Sequence, residues 1–376
     1  MGPKLLQWYS TFDTCTACHD GTVTSTYNVL SGSYQPVDGG SVRPTGGGLF
    51  GFEEGGTTTN SLVYLSDNTG GASSLSRHHV EEAGLKLSSA PGGKGSDGSD
   101  PQGTWTGTLG CENCHDPHGN GGNPRILNPD PNGVQTQKYY NLLGSNNPYA
   151  LTRVSTTDPT MGYTVTDPDT NELAKILVDP VRYNLIKVYL GSTLIDSSRV
   201  KVVYQDGHSV VTIAGATSTD VFTGYFVLAL VVNMDVNNYL TSAETVTYRS
   251  GINRFCGTCH TDYDTSNVAN SGHVFSGLYS SAARHQVGAT VDTAVPGLKF
   301  EESGTGTRTL VCLTCHVAHG ANQDYWQRTL IDTLNLSNWN SSMLPEISGS
   351  SRLKRMPNMG VCEACHQKGY ASYSPH

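Results

Sequence analysis

The chain has 376 residues, enough for two or three domains, and its formal net charge is −9. With 23 basic against 32 acidic residues, it lacks the basic surface that nucleic-acid binding requires. Charged residues make up 15% of the chain, below the usual ~25% of soluble domains, and 43 residues are glycine, which is typical of a loop-rich or β-rich extracellular protein.

The N-terminal residues, MGPKLLQWYS, lack the sustained apolar segment of a secretory signal. The longest apolar stretch, FVLALVV at 226–232, is far shorter than the ~20 residues of a membrane-spanning helix. We therefore expect no membrane span. We also expect the numbering to begin near a mature N-terminus, because the chemistry inferred below takes place outside the cytoplasm.

The first predicted unit, residues 1–135, contains two Cys-x-x-Cys-His motifs, CTACH at 15–19 and CENCH at 111–115. Three more follow along the chain, and the five motifs use all ten cysteines. Cys-x-x-Cys-His is the attachment pattern for c-type haem. Residues three apart lie on one side of a helical turn, so both thiols can bond to one porphyrin edge. The histidine that follows can then ligate the iron.

The motifs define two sets of predicted haem-binding residues. The covalent attachment sites are Cys15, Cys18, Cys111, Cys114, Cys256, Cys259, Cys312, Cys315, Cys362 and Cys365. The proximal iron ligands are His19, His115, His260, His316 and His366.

Three other uses of paired cysteines compete with haem attachment. Cys₄ zinc sites would leave one of five pairs without a partner and would not require a histidine after each pair. Thioredoxin-like motifs occur singly, beside a βαβ pattern that this sequence lacks. Closely spaced pairs are also poor disulfide staples for loops. The repetition therefore favours five c-type haems, each with its iron, as the cofactors.

Residues 136–250 are predicted to form a linker and a β-sandwich-like insert, with strands at about 173–249. Runs rich in β-branched and aromatic residues occur at 181–190, 199–204, 209–213, 221–232 and 244–248. Gly191-Ser192 and Asp206-Gly207 are predicted turns between them. The expected role of the insert is a spacer, a solvent shield or a contact surface.

The sequence DPDTNE at 167–172 places Asp167, Asp169 and Asn171 at alternating positions, as in a calcium-binding loop. The glycine and the distal glutamate of that motif are missing. A plain Asp-Pro turn is favoured, and calcium is the weaker alternative.

Residues 251–335 form a second predicted haem-binding unit that repeats the first. RHH at 77–79 precedes CENCHDPHG, and RHQ at 284–286 precedes CLTCHVAHG. This self-similarity indicates an internal duplication. The last segment, 336–376, adds the fifth motif. Its basic run RLKR, at 352–355, could pair with haem propionates or form a solvated basic face.

Around the motifs, Gly, Ser, Asn and Pro dominate and sustained helical periodicity is missing. We therefore predict mostly coil with short helices around five covalent c-type haems, whose porphyrins form the apolar core. To this is added the inserted all-β, sandwich-like domain.

The histidine count permits a second axial histidine on each iron. Thirteen histidines less the five proximal ligands leaves eight, and the methionines show no pattern near the motifs. The candidate distal ligands are His78, His79, His118, His273, His285 and His319. His208, in a predicted hairpin turn, and His376, at the chain end, are weaker candidates.

His118 and His319 each follow a proximal histidine by three residues. A residue so close cannot reach the far face of the same iron, but it can reach the iron of an adjacent haem. This spacing predicts haems packed in close pairs. The predicted pairs, given as distal ligand and proximal ligand, are His118 with His19, His78 with His115, His319 with His260, and His285 with His316. The haem of His366 has no assigned partner, and His79, His273 or a ligand from a neighbouring subunit would supply one.

CENCHDPHG and CLTCHVAHG, together with FCGTCHTDYD followed by ARHQVG, resemble the doubled-CxxCH multihaem cytochromes c. This group includes subunits of extracellular cytochrome filaments, or nanowires. The resemblance covers both haem-bearing units, and the β insert matches no family. It implies haems stacked in alternating parallel and T-shaped pairs. It also implies a homopolymer in which a histidine from the next subunit completes a terminal haem.

The predicted function is electron transfer along a chain of bis-His haems, in a subunit of an exported extracellular or cell-surface filament. Redox proteins or extracellular acceptors are the expected partners. Six-coordinate iron has no open position for a substrate, so no enzymatic activity is expected. Two alternatives stay open, namely a monomeric periplasmic shuttle and a reductase with one open haem. Pentahaem nitrite reductases typically attach their catalytic haem through Cys-x-x-Cys-Lys, whereas all five motifs here end in His.

Overall fold

The computed structural model describes residues 11–22, 27–36, 42–50, 76–78, 80, 109–117, 123–131, 148–167, 171–178, 186–236, 246–260, 287–295, 298–321, 355 and 360–366. Within these ranges there are five α-helices, and each is short. They are α1 (Thr11–His19), α2 (Cys111–Cys114), α3 (Ile252–Gly257), α4 (Cys312–Cys315) and α5 (Gly360–His366). Three 3₁₀ turns cover Pro124–Ile126, Pro159–Met161 and Ser197–Arg199.

Strands outnumber helices in the described residues. In chain order they are β1 (Ser33–Tyr34), β2 (Arg43–Pro44), β3 (Ser76–Arg77), β4 (Tyr149–Ala150), β5 (Thr152–Arg153), β6 (Tyr163–Thr164), β7 (Lys187–Leu190), β8 (Thr193–Leu194), β9 (Val200–Gln205), β10 (His208–Ile213), β11 (Phe222–Tyr225), β12 (Asn233–Val236), β13 (Val246–Ser250), β14 (Thr290–Val291), β15 (Glu301–Glu302), β16 (Arg308–Thr309) and β17 (Gly320–Ala321).

Two four-stranded antiparallel sheets share one apolar core. Their strand orders are β5-β6-β10-β9 and β4-β11-β7-β8. Tyr163 of the first sheet meets Phe222 of the second edge to face, with ring centroids 5.2 Å apart. Val211 and Val188, one from each sheet, are almost completely buried in the same core. Burial of this shared face is what holds the two sheets together.

The hairpin between β9 and β10 is the clearest local signal in this region. Asp206 and Gly207 form its two-residue turn, with φ of 48° and 83°, so both residues are left-handed. Such a turn matches the twist of the flanking strands, and Asp-Gly is a favoured pair for it. The prediction of a hairpin at Asp206-Gly207 is therefore confirmed, since Gln205 pairs with His208.

A third sheet crosses the boundary predicted between the insert and the second haem-binding unit. Its order is β12-β13-β15-β16-β14, and only the β13–β15 pairing is parallel among its described contacts. Two further sheets have two strands each, β1 with β2 and β3 with β17. The β3–β17 pair joins segments from the two predicted haem-binding units.

The predicted fold class, mostly coil with short helices around haems plus a separate all-β insert, was wrong. The described chain is β-rich, and strands lie on both sides of the predicted insert. Strands of the two four-stranded sheets also begin at Tyr149, ahead of the predicted start at about 173. Many strands are two residues long, too short to leave a period of two in the sequence, and their pairing is fixed by distant contacts.

The apolar stretch FVLALVV, at 226–232, connects two cores. Phe226 and Leu228 belong to the core of the four-stranded sheets, whereas Val232 lies in a cluster with Ile252 of α3. Asn123 fixes this segment by donating to the Leu230 carbonyl at 2.8 Å. Across the described ranges, no helix combines the length and the apolar character that a bilayer crossing requires.

Candidate functional site

Every α-helix in the described residues carries part or all of one Cys-x-x-Cys-His motif. In α2 and α4 the residue before the second cysteine caps the turn. Asn113 accepts a hydrogen bond from the Gly110 N–H at 2.6 Å, and Thr314 accepts one from the Val311 N–H at 3.1 Å. This satisfies a backbone donor that a helix start would otherwise leave unpaired. Each turn thereby places its two cysteines one above the other.

The motif-bearing helices are neighbours in the order of the chain, beginning with α1 and α2. Phe12 of α1 forms an apolar cluster with Leu30 and Phe50, and Cys111 of α2 packs against it. A second cluster brings Leu109, two residues before α2, against Cys259 of the third motif.

The same arrangement continues from the third motif to the fourth. Ile252 of α3 and Val311, directly before α4, are buried in one cluster, and Cys256 packs against them. The side-chain oxygen of Asn253 accepts a hydrogen bond from the Cys312 N–H at 2.9 Å. The two helices are thus joined by apolar and polar contacts.

A fourth cluster joins the fourth motif to the fifth. Val317, two residues after Cys315, is buried with Val361 of α5, and Ala364 packs against them. All five motifs therefore form an unbroken series of neighbours, from the first to the fifth.

Thiols of consecutive motifs approach closely, and their pKa values are raised. A hydrogen bond with Cys312, followed by burial, raises the pKa of Cys256 well above its ordinary value. Burial, followed by the nearby Cys259 thiol, raises the pKa of Cys114 to about 12. Burial, followed by the thiols of the fifth motif, raises the pKa of Cys315 to about 11. These thiols are protonated at neutral pH, whereas a thioredoxin-like catalytic cysteine requires a lowered pKa.

His115, the proximal histidine of the second motif, faces His319. Their ring centroids are 6.3 Å apart, and the ring planes are inclined by 64°. The Nδ1 of His115 lies 2.9 Å from the Arg125 carbonyl oxygen, which can only accept a hydrogen bond. His115 therefore carries its proton on Nδ1 and keeps the lone pair on Nε2.

His319 is held in an enclosed position. Phe50 stacks on its ring with centroids 4.5 Å apart, and the backbone N–H of His319 donates to the Gly47 carbonyl at 2.8 Å. Its Nδ1 is buried and has no hydrogen-bond partner among the described residues. Burial, followed by the neighbouring His115 and His78, lowers its pKa to about 3, and the backbone of Gly48 opposes this shift. The imidazole is therefore neutral at physiological pH, as a metal ligand must be.

A second imidazole pair consists of His78 and His260, the proximal histidine of the third motif. Their ring centroids are also 6.3 Å apart, with the planes inclined by 56°. The Nδ1 of His78 donates to the Ala318 carbonyl oxygen at 2.6 Å, and its backbone N–H donates to the His319 carbonyl at 3.0 Å. Pairing of β3 with β17 thus places His78 and His319, two of the predicted distal ligands, next to each other.

The two imidazole pairs fit an iron held by two histidines. A metal ion between two imidazoles separates the ring centres by about 6 Å, because each metal–nitrogen bond is about 2 Å and each nitrogen is roughly 1 Å from its ring centre. Both observed separations agree with this value. A haem needs only two ligands from the chain, since the porphyrin supplies the others. By contrast, the described residues contain no cluster of three or more His, Cys, Asp or Glu side chains that could hold a bare metal ion.

The structure pairs His78 and His319 with other proximal-position histidines than the sequence predicted. His78 was predicted to face His115, and His319 to face His260; instead His78 faces His260 and His319 faces His115. The cause is the contact between the segments that hold them, since β3, just before His78, pairs with β17, just after His319.

The remaining predicted ligands differ in how much the structure describes of them. His19 and His316 lie exposed at helix ends. The backbone of His366 ends α5, but its side chain is outside the described part. His79, His118, His273 and His285 also lie outside the described residues, together with the pairings predicted for them.

Two alternatives from the sequence, disulfides between the cysteines and a calcium loop at 167–172, find little support in the described residues. All ten cysteines are described, and none of them forms a disulfide with another. Asp167, considered for calcium, instead accepts a hydrogen bond from Arg254 at 2.8 Å. Its own N–H and carbonyl close a turn with Glu172 and Asn171, in agreement with the simpler interpretation of this segment.

Sequence reasoning missed the residues that orient the imidazoles. Phe50 stacks on His319, and the carbonyl groups of Arg125 and Ala318 accept from His115 and His78. A backbone carbonyl has no signature in a sequence, and no local pattern marks Phe50. Comparison of the chain with protein-family models, with curated proteins and with solved structures found no match.

Proposed function

We propose that this chain is a c-type cytochrome with five covalently attached haems, which transfers electrons along the series of its motifs. The observation that supports this most strongly is the arrangement of those motifs. Each motif lies beside the next one in the chain, and an apolar cluster occupies each of the four junctions. Such a series suits passage of charge from one end of the molecule to the other.

In this proposal the cysteines of each motif hold one haem through thioether bonds, and the histidine after them ligates the iron. When bound, haem supplies a reversible one-electron carrier. His319 is the distal ligand opposite His115, and His78 is the distal ligand opposite His260. The hydrogen bonds that fix the rings of His115 and His78 act as outer-shell contacts, which orient a ligand and raise its basicity.

Two histidines per iron favour electron transfer over catalysis. With an imidazole on each side, the iron offers no position at which a substrate can bind. The ring separation of 6.3 Å in both described pairs supports this form of ligation. We therefore propose a protein that is not an enzyme.

We further propose that the protein is exported and forms a homopolymer, an extracellular filament that passes electrons to redox proteins or external acceptors. This rests on the resemblance of CENCHDPHG and CLTCHVAHG to filament-forming cytochromes. Negative-stain microscopy of the native protein tests it, because a filament subunit gives fibres and a periplasmic shuttle gives single particles.

Haem content tests the central proposal. Purified protein should show a Soret band, and intact mass spectrometry should give the polypeptide plus five haems. Replacing Cys362 and Cys365 with serine should remove one haem and leave four. A polypeptide mass without haem, or thiols that react freely with an alkylating reagent, would refute the proposal.

A further inference from the structure

Arg355 is a buried cation fastened to the fourth motif. Its side chain lies in the interior, since the residue is only 4% exposed. Its backbone N–H donates to the Cys315 carbonyl at 2.8 Å, and its Nε donates to the Leu313 carbonyl at 2.8 Å. Both acceptors belong to α4, so this helix fixes the position of the guanidinium. The alternative of a solvated basic face at 352–355 therefore does not hold for Arg355.

The guanidinium has no carboxylate partner among the described residues. Arg254 of α3, with a largely buried side chain, forms an ion pair with Asp167 at 2.8 Å, and the exposed Arg249 pairs with Asp235. A buried charge without a counter-ion is costly, so such a group is normally paired. Within the described part of the chain, Leu313 takes one donor of Arg355, and no ion pair takes the rest of its planar fork.

Arg355 also lies where two motifs meet. It is close enough to the Cys315 thiol to oppose the rise in its pKa, to which Cys362 and Cys365 of the fifth motif contribute. The ionisable groups that act on Cys315 together with this cation are thus thiols of the fourth and fifth motifs. Once such thiols are bonded to haem, they carry no charge that could neutralise it.

We infer that Arg355 binds a propionate carboxylate of the haem attached to Cys312 and Cys315. The inference rests on the proposed function, because a c-type haem brings two carboxylates with it. Arginine suits this role, since its planar fork matches a carboxylate and its charge is permanent. A cation there also favours reduction of the same haem, because reduction makes the haem more negative by one charge.

Redox titration of the five-haem protein, followed in the visible spectrum, tests this inference. Arg355→Gln removes the charge and retains a polar side chain. We expect all five haems to remain attached, and about a tenfold fall in the equilibrium constant for reducing one of them, which lowers its potential by ~59 mV. Arg199→Gln is the control, because Arg199 is exposed on the four-stranded sheets and donates to the Ala214 carbonyl. It should leave every potential unchanged.

Two further variants make the outcomes decisive. If Arg355→Gln does not give folded protein, Arg355→Lys replaces it. The ammonium keeps the charge but not the fork, so a smaller shift in the same direction is expected. In the four-haem protein that lacks Cys362 and Cys365, the shift should persist, because the haem on α4 is the partner.

Three results would overturn the inference. One is an unchanged set of potentials in the folded Arg355 variant, and another is loss of the shift when the fifth haem is absent. The third is a shift of equal size in Arg199→Gln. If the wild-type protein carries no haem, the proposed function fails instead, and the mass of the wild-type protein separates that case from the others.

Discussion

His319 is distinguished from a surface histidine by its enclosed Nδ1 and by a pKa of about 3. If it is the distal ligand opposite His115, its removal opens one coordination position. We expect His319→Ala to convert one of the five haems from low-spin to high-spin while all five stay covalently attached. Electron paramagnetic resonance and the visible spectrum report the spin state.

His208→Ala is the matched control for this experiment, because His208 lies in β10, far along the chain from any motif. It should leave all haems low-spin. Retention of five low-spin haems in His319→Ala would contradict the pairing of His319 with His115.

The low pKa of His319 also predicts how stability depends on pH. An ordinary histidine titrates near 6.5, whereas native His319 titrates at about 3. Between these values the unfolded chain binds a proton that the native chain does not bind, so the free energy of unfolding decreases as the pH falls. The slope from this group is at most about 1.4 kcal/mol per pH unit.

Denaturant unfolding at several pH values within that interval measures this slope. His319→Leu removes the titrating group, so its unfolding free energy should fall less steeply with decreasing pH than that of the wild-type protein. Equal slopes in the two proteins would show that His319 does not resist protonation.

Among single residues, those defined by local spacing could be predicted from the sequence. The five-residue pattern predicted a short helix at each motif, and the structure has a helix over part or all of each one, whereas the haem attached there stays a prediction. The partners of His78 and His319 could not be predicted. The contact between His78 and Ala318 joins residues separated by 240 positions, and no local pattern encodes such a contact.

At the scale of elements, one ion pair connects the turn after β6 to α3. The side chains of Asp167 and Arg254 are only 5% and 13% exposed. Removing one partner of a buried pair leaves the other charge uncompensated, so we expect Asp167→Asn to lower the free energy of unfolding by about 3 kcal/mol. Denaturant unfolding gives this value.

Asp235→Asn provides a comparison of the same chemistry at the surface. Asp235 and Arg249 are 60% and 40% exposed, so breaking their pair should change the free energy of unfolding by less than about 1 kcal/mol. Equal losses in the two variants would mean that burial does not determine the strength of the Asp167–Arg254 pair.

The segment 226–232 supplies a second prediction at this scale. Leu228 is fully buried in the core of the four-stranded sheets. Leu228→Ala removes buried methyl groups and leaves a cavity, which should lower the free energy of unfolding by about 2–5 kcal/mol. Val221→Ala, at a side chain that is 75% exposed, should have little effect. A small loss at Leu228 would show that the segment is not part of a packed core.

Local sequence patterns predict some of the elements but not others. The hairpin of β9 and β10 has long β-branched runs and an Asp-Gly turn, so local chemistry specifies it. The strands β3 and β17 have two residues each and exist only because they pair with each other. Short strands of this kind made the described chain β-rich where coil was expected.

For the whole molecule, the exchanged histidines predict that the two haem-binding units inferred from the sequence depend on each other. His115 of the first unit faces His319 of the second, and His260 of the second faces His78 of the first. Residues 1–135 produced alone should therefore attach two haems, with the haem of the second motif high-spin because its partner is missing. Mass spectrometry gives the haem count, and electron paramagnetic resonance gives the spin state. Two low-spin haems in this fragment would contradict the exchange.

The pairing of β3 with β17 has a consequence for how the protein matures. In a chain exported N-terminus first, His115 reaches the oxidising compartment long before His319 does. A haem joined to the second motif in that interval would carry one imidazole only, and small molecules such as peroxide could reach its iron. The second imidazole would then reach this iron only when β17 pairs with β3, late in synthesis. A chain truncated shortly before β17 would keep a reactive haem with one imidazole. Its prompt degradation would therefore protect the cell.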